Sequence, residues 1–363
     1  MKITTLQNWL KQEKIDICFI NNPANIAYLT GYISNPHERI MALIVSAERG
    51  SFFFVPALEV IDAKKVITDY PVIGYQDTEN PWDIIKTQVA TKMKKSNQWA
   101  IEKNFLTVER FAALLSTFPN SDFNLDITEK IQDMMLIKSE DELAKMKVAG
   151  KWADFALKVG RESLEEGISE TEVVAIIEYE LKKQGIQQMS FDTTVLFGDH
   201  AASPHGTPGA RTLKQGELVL FDLGCVYEGY TSDVTRTFAF GEVSEKVRLV
   251  YDVVLKAQLA AQNAVRPGIT AEELDKIARD VITDAGFSEY FIHRLGHGLG
   301  STVHEYPSIM AGNMMMLEQG MCFSIEPGIY IPDVVGVRIE DCVYVTETGC
   351  TTFTNTSKEW GIL

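Results

Sequence analysis

The chain has 363 residues, 45% of them hydrophobic and 23% charged, with a formal net charge of −16. That acidity argues against nucleic acid or an anionic membrane as partner, since both call for a basic face. The length exceeds what one ordinary core supports, so two domains are expected. No run approaches the ~20 apolar residues of a membrane span.

The opening stretch MKITTLQNWLKQEKID lacks the continuous apolar segment of a signal peptide. IDICFI then predicts a strand, and NNPANIAYLTGY a helix with Asn22 near its cap and Pro23 at its first position. MALIVS and SFFFVPA predict two strands joined by the tight AERG turn, WAIEKN another strand, and TVERFAALLSTF another helix. Residues 1–125 thus form a small mixed α/β domain without a catalytic motif of its own. A linking segment is expected near 120–138, where PNSDFNLD breaks the pattern, and residues 126–363 form the second domain.

Ser139 and Glu142 make a capping box that opens a long helix. From there the chain is written twice. GISETEVVAII at 167–177 resembles GITAEELDKIA at 268–278, each with its own capping box, Ser169 with Glu172 and Thr270 with Glu273. Both helices end near a glycine, Gly185 and Gly286. GELVLFDLG at 216–224 lines up with GMCFSIEPG at 320–328, placing Asp222 opposite Glu326, with Asp233 and Glu340 following in turn.

These four carboxylates and His297 are candidate ligands of one metal site. Four carboxylates gathered at one point resist ionising together, and a pair of divalent cations removes that problem. LVLFDLG is a continuous apolar run, so Asp222 sits on a buried strand where an unpaired charge is costly. An antiparallel hairpin with its turn between 227 and 228 would set Asp222 directly opposite Asp233. A turn about 333 would do the same for Glu326 and Glu340, with cross-strand neighbours about 5 Å apart. Strand period adds Arg338 to the face of Glu340, where a cation would hold that carboxylate. In Gly296-His297-Gly298-Leu299-Gly300, alternate glycines argue against a helix and permit close backbone approach. His293 and His304 crowd the same stretch, and His205 lies in the SPHGTPG loop; imidazoles beside a metal pair can orient a carbonyl and protonate a leaving nitrogen. The five cysteines, Cys18, Cys225, Cys322, Cys342 and Cys350, contain no CxxC pair and are expected as reduced, mostly buried thiols in a cytoplasmic protein.

In order, FDLG, SDVTRTF, GHGLG, VHEYP, SIEPGIY and VRIEDCV resemble the motifs of the proline-specific pita-bread metallopeptidases, a group that includes prolidase and aminopeptidase P. The resemblance spans essentially the whole chain. It implies an α/β (α+β) catalytic domain of two pseudo-symmetric halves, preceded by a smaller α/β domain concerned with dimerisation or substrate access. It implies two divalent ions per subunit, manganese first, with cobalt or zinc as alternatives. By position, Asp222 would ligate one ion and His297 with Glu326 the other, while Asp233 and Glu340 bridge. Glu326 matches the residue that takes the proton of the attacking water, His205, His293 and His304 the substrate-contacting histidines, and Arg338 the arginine behind the ligands.

The implied activity is hydrolysis of proline-containing Xaa-Pro dipeptides by a cytoplasmic homodimer. Aminopeptidase action on longer Xaa-Pro peptides and a non-catalytic binding module are the alternatives. Some prolidases carry an arginine just after HEYP to read the substrate carboxylate; here that position is Ser308. Arg294, or Arg39 of the N-terminal domain (its own or a partner's), is the candidate replacement.

Overall fold

The computed structural model describes residues 2–94 and 97–362. Contacts divide the chain into two units, Met1–Met134 and Met135–Leu363.

The first unit is built on a six-stranded mixed sheet whose order is Val72–Tyr75, Phe52–Pro56, Ala42–Ser46, Ile17–Ile20, Gln98–Ile101 and Asp122–Asp126. Four of these strands and two of the helices lie where the sequence places them. Asn22 caps the helix Pro23–Thr30 by accepting from Ala24 N, and Thr107 caps Val108–Thr117. Strands Ile17–Ile20, Ala42–Ser46 and Phe52–Pro56 are buried at every position, so alternation is absent and only their β-branched and aromatic content marks them. The segment expected as a connection at 120–138 is instead ordered: Asp122–Asp126 is an edge strand and Thr128–Leu136 a helix. Its polar side chains suit an edge, where one face and one rim meet water.

The second unit repeats one plan. In each half, two helices precede a short strand and a hairpin. The first half has Glu140–Glu162 and Glu170–Lys183, then Thr194–Phe197, Glu217–Leu223 and Val234–Phe240. The second has Glu245–Ala264 and Ala271–Asp284, then Gly296–Gly298, Cys322–Ile325 and Asp341–Val345. All three expected capping boxes form, at Ser139, Ser169 and Thr270. Gly185 and Gly286 follow the paired helices in the left-handed conformation that ends them, at φ 90 and 84. The second helix of each half packs on that half's own sheet. Val173, Ile177 and Leu181 meet Val219 and Phe221 in the first half; Leu274, Ala278 and Ile282 share a core with Phe323 and Val343 in the second.

Candidate metal centre

The first hairpin presents Asp222 and Asp233. Asp222 faces Thr235 and Leu223 faces Val234, and beyond a gap the same register resumes at Val226–Thr231 and Tyr227–Tyr230. The turn is therefore Glu228-Gly229, both residues at positive φ, 47 and 80, which is the two-residue connection that suits strand twist. It falls one residue later than expected, so Asp222 and Asp233 are diagonal neighbours on one face rather than a directly opposed pair.

The second hairpin keeps the expected register. Ile325 faces Asp341 and Gly328 faces Arg338, which sets Glu326 opposite Glu340. Superposing the two hairpins on Asp222 and Glu326 gives Asp233 the place of Arg338, and Thr235 the place of Glu340. The halves match in backbone but differ in charge at both return-strand positions.

Asp233, His297 and Glu340, all buried, offer ligand atoms within 4.8 Å of one another. His297 Nε2 stands 3.7 Å from Asp233 Oδ2 and 3.2 Å from Glu326 Oε1, which joins the fourth residue. Asp222 completes the set through Arg338, whose Nη2 donates to Asp222 Oδ2. Oδ1 of Asp222 and Oδ1 of Asp233 are buried without a hydrogen-bond partner. Buried acceptors of that kind cost free energy unless something positive meets them. The donor set, carboxylate oxygens and one imidazole, fits divalent cations.

Burial pushes the carboxyl groups of Asp222, Asp233 and Glu340 above the usual range, and neighbouring carboxylates add to the shift on Asp233 and Glu340. Glu326 goes the other way: burial alone would raise it, but the hydrogen bond and charge of His297 hold it down at about 2. Three carboxyls that resist ionising beside one already ionised describe a site short of positive charge.

A second layer fixes the ligands. Thr235 Oγ1 donates to Glu340 Oε2 at 2.7 Å and accepts from Arg338 Nε at 3.1 Å. Arg338 thus holds Asp222 directly and reaches Glu340 only through Thr235, where strand period had paired it with Glu340 itself. Ser324 Oγ donates to Glu326 Oε1 at 2.9 Å and accepts from His297 N at 2.9 Å. Gly296 is required by the crowding here, since a Cβ would lie 1.9 Å from the carbonyl oxygen of Ser324. Beneath Glu340, the buried Arg236 guanidinium donates to the backbone oxygens of Glu340 and Thr356 and to Asp341 Oδ1. Thr235, Ser324 and Tyr330 were not singled out from sequence. Strand period carries the signal for Thr235 and Ser324, two residues from Asp233 and from Glu326, whereas Tyr330 lies diagonal to Arg338 across the hairpin turn.

The histidines stand around this core. The His304 ring is 4.3 Å from that of His297, and burial together with the His297 charge lowers its pKa. His293 contacts the Tyr330 hydroxyl at 2.9 Å, and Arg338 Nη1 donates to the same oxygen at 3.0 Å. His205 is exposed, and its charge bears on His304. Arg294 Nη1 donates to Ser308 Oγ at 2.9 Å, so a guanidinium does reach the position where the motif lacks an arginine. Arg39 lies in the first unit, where its guanidinium pairs with Asp77 at 2.8 Å and with Glu38 at 3.0 Å.

Buried carboxylates root two of these segments. Glu305 accepts from Lys138 Nζ at 2.9 Å and from Thr302 N at 3.0 Å beside His304. Asp275 accepts from Leu295 N at 3.0 Å and pairs with Arg279, which donates to the carbonyls of Phe291 and His293.

Comparison with known proteins matches residues 144–347 to the model of Metallopeptidase family M24, and residues 2–136 to that of the Creatinase/Prolidase N-terminal domain. The chain is 50% identical over 364 aligned residues to an Xaa-Pro dipeptidase of Lactobacillus delbrueckii subsp. lactis, covering 100% of this chain and 99% of the relative. Among solved structures, an Xaa-Pro dipeptidase from Bacillus anthracis superposes with a TM-score of 0.92 at 33% identity, covering 100% of this chain and 99% of the other. A prolidase from Thermococcus sibiricus gives 0.93 at 35%, covering 99% and 98%.

Proposed function

This chain belongs to metallopeptidase family M24, and from that membership we propose that it is an Xaa-Pro dipeptidase working with two divalent cations. The observation that carries the proposal is identity of 50% to an Xaa-Pro dipeptidase along the whole chain. The convergence of four carboxylates and His297, with two buried oxygens unpartnered, supports it from the side of chemistry.

In this proposal Asp222, Asp233, His297, Glu326 and Glu340 are the residues that would hold the two cations. Bound there, divalent cations polarise the scissile carbonyl and make water acidic enough to supply hydroxide near neutral pH. Manganese is the first candidate because the set is rich in hard oxygen donors, with cobalt and zinc as alternatives.

The chain's own residues do the rest. Glu326 receives a proton from water. An Xaa–Pro bond is a tertiary amide with no N–H, so recognition rests on the carbonyl, the ring and the free carboxylate. His304, beside His297, is placed to return a proton to the departing ring nitrogen, and His205 to hold the substrate carbonyl. His293 acts through Tyr330 and Arg338, which keep Asp222 oriented. Arg294, steadied by Ser308, takes the carboxylate of the C-terminal proline, since a guanidinium forks onto a carboxylate. Five unpaired cysteines, four of them buried, support a reducing cytoplasmic setting, and a homodimer completes the proposal.

Turnover of an Xaa-Pro dipeptide against the matching Xaa-Pro-Yaa tripeptide tests the assignment. Activity on the dipeptide that a chelator abolishes and manganese restores is the expected result. A tripeptide cleaved far faster would replace dipeptidase by aminopeptidase, and no metal-restored activity on either would leave a binding module.

A further inference from the structure

Glu170 has no part in the centre described above, yet its carboxylate is fully buried. It sits at the start of the helix Glu170–Lys183, just after the capping residue Ser169. Oε1 accepts from Phe197 N at 2.9 Å and meets His200 Nδ1 at 2.8 Å. Oε2 accepts from Gly209 N at 2.9 Å and lies 3.0 Å from the same His200 nitrogen. Phe197 and Gly209 are the two ends of the segment that carries His205. One carboxylate therefore closes that loop at its base.

The neighbouring contacts reinforce the closure. Thr171 Oγ1 and Thr171 N both donate to Gly209 O, at 2.9 and 3.2 Å. Arg211 Nε donates to Phe197 O at 2.8 Å. Inside the loop, the short helical turn Gly198–Ala202 buries Ala201 with Leu196 and Leu220. That turn presses on the strand leading to Arg338 and Glu340: a Cβ at Gly336 would stand 1.7 Å from Ala201 O. Beyond it, Gly206 N donates to Ser203 O at 2.9 Å, a turn that brackets His205.

A buried carboxylate is expensive, and this one is tolerated because backbone and imidazole donors saturate it. Any one of those donors could be served by a neutral acceptor. Only a two-oxygen side chain reaches all three groups at once.

We propose that Glu170 is a positioning residue for the peptidase reaction: it clasps both ends of the 198–209 loop and so fixes His205 against the metal-bearing strands. The inference rests on the proposed hydrolysis of Xaa-Pro dipeptides, in which His205 touches substrate. An error of an ångström in a substrate-holding group costs catalysis heavily even when fold and ligands are intact. The Glu305 and Asp275 carboxylates serve His304 and His293 in a comparable way, which makes Glu170 the third of a set.

A double-mutant cycle tests it, with Glu170→Gln and His205→Ala made singly and together in the metal-loaded full chain. Glutamine presents an N–H₂ toward one of the three donors and so opens one end of the loop. Glu170→Gln is expected to lower kcat/KM on leucyl-proline by about tenfold with bound metal unchanged, and by under about twofold in the His205→Ala background. Equal losses in both backgrounds, or no loss in the single variant, would overturn the proposal. Should Glu170→Gln fail to fold, Thr171→Val removes one loop bond alone and is run through the same cycle, with a smaller loss and the same non-additivity expected. Amide exchange reads the clasp without substrate: Phe197 and Gly209 should exchange at least about tenfold faster in Glu170→Gln, and unchanged exchange refutes the clasp. Absence of wild-type turnover on leucyl-proline counts instead against the proposed activity, and exchange still decides the clasp.

Discussion

Thr235 and Glu340 are joined by a 2.7 Å hydrogen bond that links the return strand of the first hairpin to that of the second. The same hydroxyl accepts from Arg338 Nε at 3.1 Å. One small side chain thus relays a cation to a carboxylate that the cation does not itself touch. Its backbone joins in, since Glu340 N donates to Thr235 O at 3.0 Å.

Replacing Thr235 by valine keeps the shape and removes the relay. Metal affinity should fall by about tenfold or more, as for other groups that orient ligands, at a cost to folding of about 1–3 kcal/mol. Thr235→Ser should recover most of the affinity. Competition with a chromophoric chelator measures it, and valine binding as tightly as threonine would remove the relay from the account.

The carboxyls of Asp233 and Glu340 lie well above their usual range, chiefly because burial penalises their charge. A carboxyl raised on folding favours the folded chain while it is protonated, and that contribution is lost as pH climbs through the raised value. The metal-free protein should therefore weaken from about pH 5 toward neutrality, whereas bound cations favour the ionised forms. Added manganese should raise Tm more at about pH 7.5 than at about pH 5, and calorimetry in buffers of different ionisation enthalpy should show proton release. An equal Tm gain at both values would contradict the sign.

Arg294→Gln tests the carboxylate anchor. KM for leucyl-proline should rise at least about tenfold, the worth of one charge-assisted contact, with kcat changed by less than about threefold. Leucyl-proline amide, which lacks the carboxylate, should show no such rise. Loss in kcat alone would place Arg294 elsewhere in the reaction.

Burial pushes the thiols of Cys225 and Cys322 to about 12 and that of Cys350 to about 11, so none is a thiolate near neutrality. Only Cys350 is half-buried. Alkylation of the native protein at about pH 8 should modify at most Cys350, slowly, while denaturant should release all five. Mass spectrometry of the digested product decides it, and fast native labelling of Cys322 would show that its core opens.

The repeat in the second unit was legible because capping boxes, terminal glycines and apolar runs recur in order, and each has a local physical cause. Ser169 and Thr270 cap their helices whatever surrounds them. The first hairpin's register was not legible to the residue. YEGY allows more than one turn placement, and only the pairing of Tyr227 with Tyr230 selects Glu228-Gly229. Thr235 and Tyr330 were overlooked for a related reason. Thr235 matters because it meets Glu340 and Arg338 on strands far apart in sequence, and Tyr330 because it meets Arg338 diagonally across one hairpin; a single chain records its alternation but not its partners. The edge strand Asp122–Asp126 was missed because its polar composition is also that of a loop, and its pairing with Gln98–Ile101 is set by the sheet.

The contacts of Tyr330 have a directional consequence. A carbonyl oxygen can only accept, so His293 Nδ1, 2.7 Å from Arg294 O, carries the proton between them. Burial lowers the pKa of His293 and favours its neutral form, which leaves Nε2 a lone pair for the Tyr330 hydroxyl. That hydroxyl's oxygen already accepts from Arg338, a group with no lone pair to give back. Every donor in the line therefore points outward from the arginine that holds Asp222. The tautomer of this outer imidazole is dictated from the buried arginine, a fixed polarity that exists before any peptide arrives.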